Sequence, residues 1–259
     1  METKWFDLDS RAETLRERRQ RAAQALVADF DEKLDLSWIF HDHALEGIVL
    51  SYHELKAAID KRIISDVSLI PMYEEIKNYK AAIEWVREAA KQPRKKKGSI
   101  TLETLKTLHG IVTPDEKLKG SPWRKENPLH RLYFHEIAAP DKVPAKMKRL
   151  VEWLDEEECL HLHPVERAAR AHWQIMAIYP WPKNSSKVAR LLMNLLLLRD
   201  GYPPAVIHSI DRQRYYDVLR GENPGLVQLV GESLKNGVDT AIHFFDELRE
   251  ARRAQRKAS

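Results

Sequence analysis

The chain has 259 residues, long enough for one large core or two modest ones, and 43% of them are hydrophobic and 32% charged, a composition typical of a soluble globular protein. Its single cysteine, Cys159, excludes an internal disulfide and is typical of a reducing cytoplasm. The formal net charge is +4, and the cationic excess is concentrated in residues 93–97 and 249–257 without interleaved aromatic side chains. We interpret both runs as solvated and expect no nucleic-acid partner.

Two features argue against a membrane partner. The longest apolar run, Leu195 to Leu198 with its neighbours, is far shorter than the ~20 residues that a membrane-spanning helix requires. The first residues include Glu2 and Asp7 and lack the basic start and apolar stretch of a secretory signal. The sequence therefore predicts a cytoplasmic protein.

Apolar residues recur at helical spacing from Ser10 to Leu34. The stretch Asp35-Leu36-Ser37 then predicts a break, followed by a short segment from Trp38 to Leu45. Three later helices have recognisable starts, because a capping residue or a proline precedes an apolar pattern. These starts are Ser51 with Glu54, Pro71 before residues 72–91, and Thr101 before residues 102–111.

The helical period is lost between Thr113 and Pro144, where prolines recur. Leu132-Tyr133-Phe134, flanked by polar residues, is the best strand candidate in the chain. We expect a long loop that carries a small β-hairpin. Loops of this length in a compact helical domain are usually functional covers or disordered segments.

The helical pattern continues through two further segments. Pro164 begins a helix with an inward-facing apolar stripe, on which His172 is interpreted as a hydrogen-bonded core histidine. The next helix begins at Ser185 or Ser186 and ends at Gly201. Because this second helix is apolar nearly all round, we expect it to be central and buried.

The loop before this central helix carries small polar and basic residues. Backbone N–H groups at a helix N-terminus attract anions, and nearby cations strengthen such a site. The loop therefore predicts a phosphate or nucleotide site, with simple capping by Ser185 or Ser186 as the alternative. The candidate anion-binding residues are Lys183, Asn184, Ser185, Ser186, Lys187 and Arg190.

Several segments, in the same order along the chain, resemble the Fic-domain family. YPWPKNSSKVAR is similar to the signature H-x-F-x-(D/E)-G-N-G-R-x-x-R, and a leucine-rich helix with a Gly-Tyr-Pro-Pro ending follows it. PWRKENPLHRLYFHEI resembles the family's flap, which docks a target segment, and VPAKMKRLVEWL resembles the helix after it. HDHALEGIVLSYHEL resembles the inhibitory motif (S/T)-x-x-x-E-(G/N), in which Glu46 and Gly47 are kept. The resemblance spans about Trp38 to Val230.

The resemblance also exposes departures from the family pattern. The catalytic histidine, the base that deprotonates a target hydroxyl, falls on Tyr179, and the metal-binding carboxylate falls on Lys183. The anion hole falls on Asn184-Ser185-Ser186, and the two arginines fall on Lys187 and Arg190. A tyrosine, with an ordinary pKa of about 10, stays protonated at neutral pH, and a lysine cannot ligate Mg²⁺. The base and the metal ligand are therefore both absent.

The resemblance implies an all-α Fic-like fold with a small β-hairpin flap. It divides the chain into an N-terminal helical region (1–92), a Fic-like core (93–231) and a C-terminal helix with a basic tail (232–259). Glu46 and Gly47 take the inhibitory position, with Glu46 within ion-pairing reach of Arg190. Target docking at the flap is assigned to Trp123, Arg124, Leu132, Tyr133 and Phe134.

We interpret the chain as a degenerate Fic-domain protein that is impaired in protein AMPylation. It is expected to keep a pocket for ATP or another nucleotide, without Mg²⁺, and to hold a protein or peptide partner at the flap. The alternative is an active nucleotidyltransferase that moves AMP or another phosphate-containing group from a nucleotide to a protein hydroxyl. Activation of Tyr179 by neighbouring cations would be one altered chemistry of that kind. The sequence leaves the formation of a homo-oligomer open.

Two histidine pairs, His41 with His43 and His161 with His163, have the appearance of metal ligands. Neither pair has the cysteine or the spaced partner of the zinc patterns. A structural role is therefore favoured for both, and no metal ligand is predicted.

Overall fold

The computed structural model describes residues 5–60, 67–92, 100–113, 123–128, 136–221 and 224–258. Every regular element in these ranges is helical, so an all-helical fold is confirmed for them. The predicted hairpin at Leu132-Tyr133-Phe134 lies outside the described residues. The helices are α1 (Phe6–Arg21), α2 (Gln24–Leu45), α3 (Tyr52–Ile59), α4 (Ile70–Lys91), α5 (Leu102–Val112), α6 (Val143–Leu154), α7 (Glu157–Leu160), α8 (Pro164–Ile178), α9 (Ser185–Arg199), α10 (Arg212–Arg220) and α11 (Pro224–Ala258). Three short 3-10 turns, Val67–Leu69, Pro140–Lys142 and Ser209–Asp211, connect some of them.

Helix α9 lies at the centre of the fold, with α8, α4 and α5 packed around it. Leu191, Leu192 and Leu195 are fully buried, so the predicted central helix is confirmed. The neighbouring α8 carries His172 into the same core, where His172 Nε2 lies 2.9 Å from the hydroxyl of Tyr215. The prediction of a hydrogen-bonded core histidine is therefore also confirmed.

The predicted helix starts agree with the structure because their determinants are local. The Ser51 hydroxyl accepts from the Glu54 N–H, and the Glu54 carboxylate accepts from the Ser51 N–H, which completes a capping box. Thr101 caps α5, and Pro71 lies in the first turn of α4. Each of these residues satisfies, or does not require, a backbone donor that a helix start leaves unpaired.

The predicted break at Asp35-Leu36-Ser37 is wrong, because α2 continues through these residues. Asp35 is buried and accepts hydrogen bonds from Lys80 at 2.9 Å and from Arg87 at 2.8 Å, both on α4. Side chains such as aspartate favour turns by competing with the helical backbone for hydrogen bonds, and here the two cations of α4 engage the carboxylate instead.

The chain turns earlier, at Ala22 and Ala23, whose backbones are extended. Alanine is the strongest helix former, so the sequence gives no local signal for this turn. A contact across the turn accompanies it, because Arg19 of α1 donates two hydrogen bonds of 2.9 Å to Asp31 of α2. Among the described helices, none is both long and apolar enough to cross a membrane.

Candidate functional site

The turn between α8 and α9 has an unusual backbone conformation at both ends. Tyr179, the residue after α8, has φ 48° and ψ 66°, and its N–H donates to the carbonyl oxygen of Ile175 at 2.7 Å. Asn184, which precedes α9, has φ 62° and ψ 13°. Within the described ranges these are the non-glycine residues with positive φ, a conformation that most side chains disfavour. Contacts from outside the turn must therefore hold it.

Arg124 supplies much of that restraint from a buried position. Its Nε donates to the carbonyl oxygen of Tyr179 at 2.6 Å, and its Nη2 donates to the carbonyl oxygens of Ile178 and Ala138. Its backbone N–H donates to the carbonyl oxygen of Pro180 at 2.9 Å. Because the last carbonyl groups of a helix have no partner within the helix, this guanidinium satisfies the C-terminal end of α8.

Replacing Arg124 with alanine should lower the free energy of unfolding by about 3 kcal/mol or more, because each buried carbonyl left unpaired costs about 1–3 kcal/mol. Lysine should not rescue the loss, since it lacks the planar fork of donors. The exposed neighbour Lys125 provides a matched control, and Lys125→Ala should change stability by less than about 0.5 kcal/mol. Urea denaturation of the three variants measures this. Equal stabilities of Arg124→Ala and Lys125→Ala would show that the hydrogen bonds of the Arg124 side chain contribute nothing to stability.

Two stacked aromatic rings support the middle of the turn. The Trp181 ring is fully buried, and its centroid lies 4.5 Å from that of His109 with an angle of 5° between the ring planes. His109 Nε2 donates to the carbonyl oxygen of Lys183 at 3.2 Å. Burial lowers the pKa of His109 to about 4, although its backbone hydrogen bond opposes this effect. Trp123, half-buried, packs against Trp181 at a centroid distance of 5.5 Å.

The polar residues before α9 are largely occupied by internal contacts. The Ser185 hydroxyl accepts from the Trp181 N–H at 2.9 Å and donates to the Trp181 carbonyl oxygen at 3.0 Å. Asn184 Nδ2 donates to the carbonyl oxygen of Val112 at 3.0 Å, and no side chain caps the helix at Asn184. Capping by Ser185 is therefore not the arrangement found. Lys183 is exposed to solvent.

Glu46 reaches the first turn of α9 from the end of α2. Its Oε1 accepts from the Ser186 hydroxyl at 2.6 Å and from Arg190 Nη2 at 2.7 Å. The chain then leaves α2 through Gly47, whose φ of 87° favours glycine. The predicted contact between Glu46 and Arg190 is present.

Two further carboxylates, Asp42 and Glu75, complete the cluster, and neither is predicted at this site from the sequence. Asp42 Oδ2 lies 3.1 Å from Arg190 Nε, and the Asp42 carbonyl oxygen accepts from Arg190 Nη2 at 3.3 Å. Glu75 of α4 pairs with Lys187 Nζ. Asp42 lies one helical turn before Glu46, so a search for acidic residues at i, i+4 spacing would have found it. Glu75 gives no such local signal.

The balance of charge in this cluster opposes the entry of an anion. Lys187 and Arg190 are both buried, and Asp42, Glu46 and Glu75 surround them, so two cations face three carboxylates. Burial raises the pKa of Asp42. Burial also acts to raise the pKa of Glu46, but the charges of Arg190 and Lys187 and the Ser186 hydrogen bond lower it below its ordinary value.

His43 lies beside the cluster in neutral form. Burial lowers its pKa to about 4, and the charge of Lys187 acts in the same direction. Its Nδ1 donates to the carbonyl oxygen of Ile39 at 2.7 Å. His43 therefore adds no positive charge at neutral pH.

The histidine pairs also make contacts within the fold. His41 Nδ1 accepts from the Ser209 N–H at 3.1 Å, and His163 Nδ1 accepts from the Val165 N–H at 3.3 Å. His161 Nδ1 lies 2.8 Å from the carbonyl oxygen of Glu157. In the part of the chain that the structure describes, no group of three His, Cys, Asp or Glu side chains could hold a metal ion.

Comparison with known proteins identifies the scaffold on which this cluster lies. The Fic/DOC family matches residues 99–197, which include α8, the turn after it and most of α9. The chain belongs to the Fic/DOC family. Tyr179, Lys183 and Arg190 all lie within the Fic/DOC match, whereas Asp42, Glu46 and Glu75 precede it.

Relatives and solved structures extend the Fic/DOC match to most of the chain. The protein adenylyltransferase Fic of Culex quinquefasciatus is 29% identical over 220 residues, which are 81% of this chain and 42% of that protein. Fic-1 from C. elegans has a TM-score of 0.76 at 22% identity, over 92% of this chain and 70% of the other. A Fic domain containing signaling protein from Bacteroides thetaiotaomicron has a TM-score of 0.75 at 25% identity, over 92% of this chain and 98% of the other. The chain spans less than half the length of the curated relatives it matches.

Proposed function

We propose that this chain is a degenerate Fic/DOC protein that does not transfer AMP at an ordinary rate and acts as a binding protein. The observation that carries the proposal is how the buried cations at the start of α9 are paired. Both of its buried cations, Lys187 and Arg190, are paired with internal carboxylates, and Glu46 also occupies the Ser186 hydroxyl. A nucleotide phosphate would have to displace these partners before it could bind.

The residues at the family's catalytic positions support the same proposal. Tyr179 stands where the family has its base, and general-base catalysis by a positioned side chain contributes about 10²–10⁴-fold to a rate. Lys183, where the family has a carboxylate, does not fit Mg²⁺, because its ammonium group has no lone pair to offer and carries a like charge. A nucleotide bound here would therefore lack both the base and the metal.

The proposed binding surface is the flap, residues 123–137. At its base Trp123 packs on Trp181, and the Arg124 guanidinium binds the end of α8, so this part is held rigidly against the core. A peptide partner would bind by strand addition along the segment that contains Leu132, Tyr133 and Phe134. The contacts of Trp123 and Arg124 fix one end of this surface on the core, and Leu132, Tyr133 and Phe134 lie outside the described residues.

The alternative function is that of a transferase which moves AMP from ATP to a hydroxyl group of a protein target. Its support is the name of the relatives, protein adenylyltransferase, together with the 81% of this chain that the Culex protein matches. A fold shared with an enzyme does not by itself establish the activity, and the residues before α9 support the binding protein.

Labelling experiments separate the two functions. We expect wild-type protein, incubated with labelled ATP, Mg²⁺ or Mn²⁺ and a cell lysate, to label neither itself nor any other protein above background. The Culex adenylyltransferase serves as the positive control for the assay. Labelling by wild type that disappears in Arg190→Ala would overturn the proposal and favour the transferase. Labelling that also survives Tyr179→Phe would show that the transfer proceeds without the tyrosine hydroxyl.

A further inference from the structure

Asp42 provides a second carboxylate on the arginine that Glu46 already engages. The Arg190 side chain is 1% exposed, and the Asp42 side chain is 2% exposed. Asp42 Oδ2 faces Nε of the guanidinium at 3.1 Å, whereas Glu46 Oε1 faces Nη2 at 2.7 Å. The two carboxylates therefore contact different nitrogen atoms of the same guanidinium.

We infer that Asp42 is a second restraint on Arg190, independent of Glu46, and that a polyphosphate anion can bind before α9 only when both carboxylates are neutralised. The inference rests on the proposed function for the ligand class of this pocket. In the motif that the segment resembles, the position of Asp42 is occupied by serine or threonine, so the second carboxylate is a feature of this chain. Asp42 is a positioning residue, since it acts on the anion through Arg190.

The net charge of the cluster depends on both carboxylates that contact Arg190. With Asp42, Glu46 and Glu75 ionised against Lys187 and Arg190, the cluster carries a charge of −1. Replacing one of the two carboxylates on Arg190 by its amide brings the cluster to zero. Replacing both brings it to +1, at a helix N-terminus whose N–H groups also favour an anion. The sign of the charge therefore reverses only in the double variant.

Arg190 keeps donor capacity for a ligand. Its Nη1 has no hydrogen-bond partner among the described residues, and its Nε contacts Asp42 as an ion pair without hydrogen-bond geometry, although the side chain is almost wholly buried. An unpaired buried donor is costly in a folded protein, and a phosphate oxygen would satisfy it with a charge-assisted hydrogen bond. Arg190 would thus gain an acceptor, and Lys187 would remain paired with Glu75.

The test is a titration calorimetry series with ATP in EDTA, which requires no catalytic activity. The single variants Asp42→Asn and Glu46→Gln should bind ATP within about threefold of wild type, whereas the double variant should bind at least about tenfold more tightly. Adding Arg190→Met to the double variant should remove the gain. A full gain from Glu46→Gln alone, or no gain in a double variant whose circular dichroism is that of a folded protein, would overturn the inference.

Nuclear magnetic resonance of the single variants decides the matter if the double variant does not fold. We expect the Arg190 Nε–H resonance to keep its wild-type position and slow exchange with water in Glu46→Gln, and to shift in Asp42→Asn. The opposite pattern would overturn the inference. Protein labelling by wild type would refute the proposed function while leaving these binding and resonance results to be judged separately.

Discussion

Arg190→Met should be among the most destabilising single substitutions in this protein, lowering the free energy of unfolding by about 3–5 kcal/mol. Methionine fills a similar volume, so the loss does not come from a cavity. It comes from Asp42 and Glu46, which stay buried or nearly so without a cation to compensate them. Breaking a buried ion pair from one side typically costs this amount, because the remaining charge is desolvated and unpaired.

A combined variant distinguishes charge from packing in this result. Adding Asp42→Asn and Glu46→Gln to Arg190→Met should recover most of the lost stability, since no unpaired charge then remains beside α9. Lys183→Met, on the exposed surface of the adjacent loop, is the control and should change the free energy of unfolding by less than about 0.5 kcal/mol. Urea denaturation gives the values. An Arg190→Met protein as stable as wild type would mean that the cluster contributes little to folding.

The parts of the fold that the sequence predicts well are those with local causes. Ser51 and Pro71 begin helices because their effects act within a turn of the chain, and the leucines of α9 require burial whatever surrounds them. The turn at Ala22 and Ala23 could not be predicted in this way, because alanine favours the helix and the contact between Arg19 and Asp31 joins two helices.

The candidate site likewise contains one contact that the sequence predicts and others that it does not. Glu46 and Arg190 were connected by resemblance to a known motif, and the structure has them 2.7 Å apart. Glu75 was missed because it lies 112 residues from Lys187 along the chain, and nothing in the sequence around it indicates that partner. Pairings between distant helices depend on how those helices pack, which a single sequence does not specify. The pairing of both buried cations with internal carboxylates is therefore apparent only from the structure.

Acid should begin to destabilise the protein near pH 6.5, above the ordinary pKa range of carboxyl groups. Burial lowers the pKa values of both His43 and His109 from the ordinary 6.5 to about 4. Below pH 6.5 the unfolded chain therefore binds protons at these two sites that the folded protein excludes. Since stability falls with decreasing pH wherever the unfolded state binds more protons, the loss begins near pH 6.5 and is complete near pH 4.

The size of the effect follows from the shifts. One pKa unit corresponds to about 1.4 kcal/mol, so each of these buried histidines should contribute a loss of about 3 kcal/mol by pH 4, and roughly 2 kcal/mol by about pH 5. Asp42, whose pKa is raised by burial, acts in the opposite direction, because its folded form takes up a proton more readily than its unfolded form. The comparison of variants must therefore isolate the histidines.

Amide side chains allow that comparison. Asparagine can donate as His43 Nδ1 does to Ile39, and glutamine can donate as His109 Nε2 does to Lys183, but neither amide titrates. Urea unfolding of His43→Asn with His109→Gln, at neutral pH and at about pH 5, should show a slope of stability against pH that is clearly flatter than in wild type. His243→Gln, on the exposed face of α11, is the control and should keep the wild-type slope. If the double variant lost stability with acid as steeply as wild type, the acid sensitivity would have to come from other groups, and the neutral state of His43 beside the cluster would no longer follow.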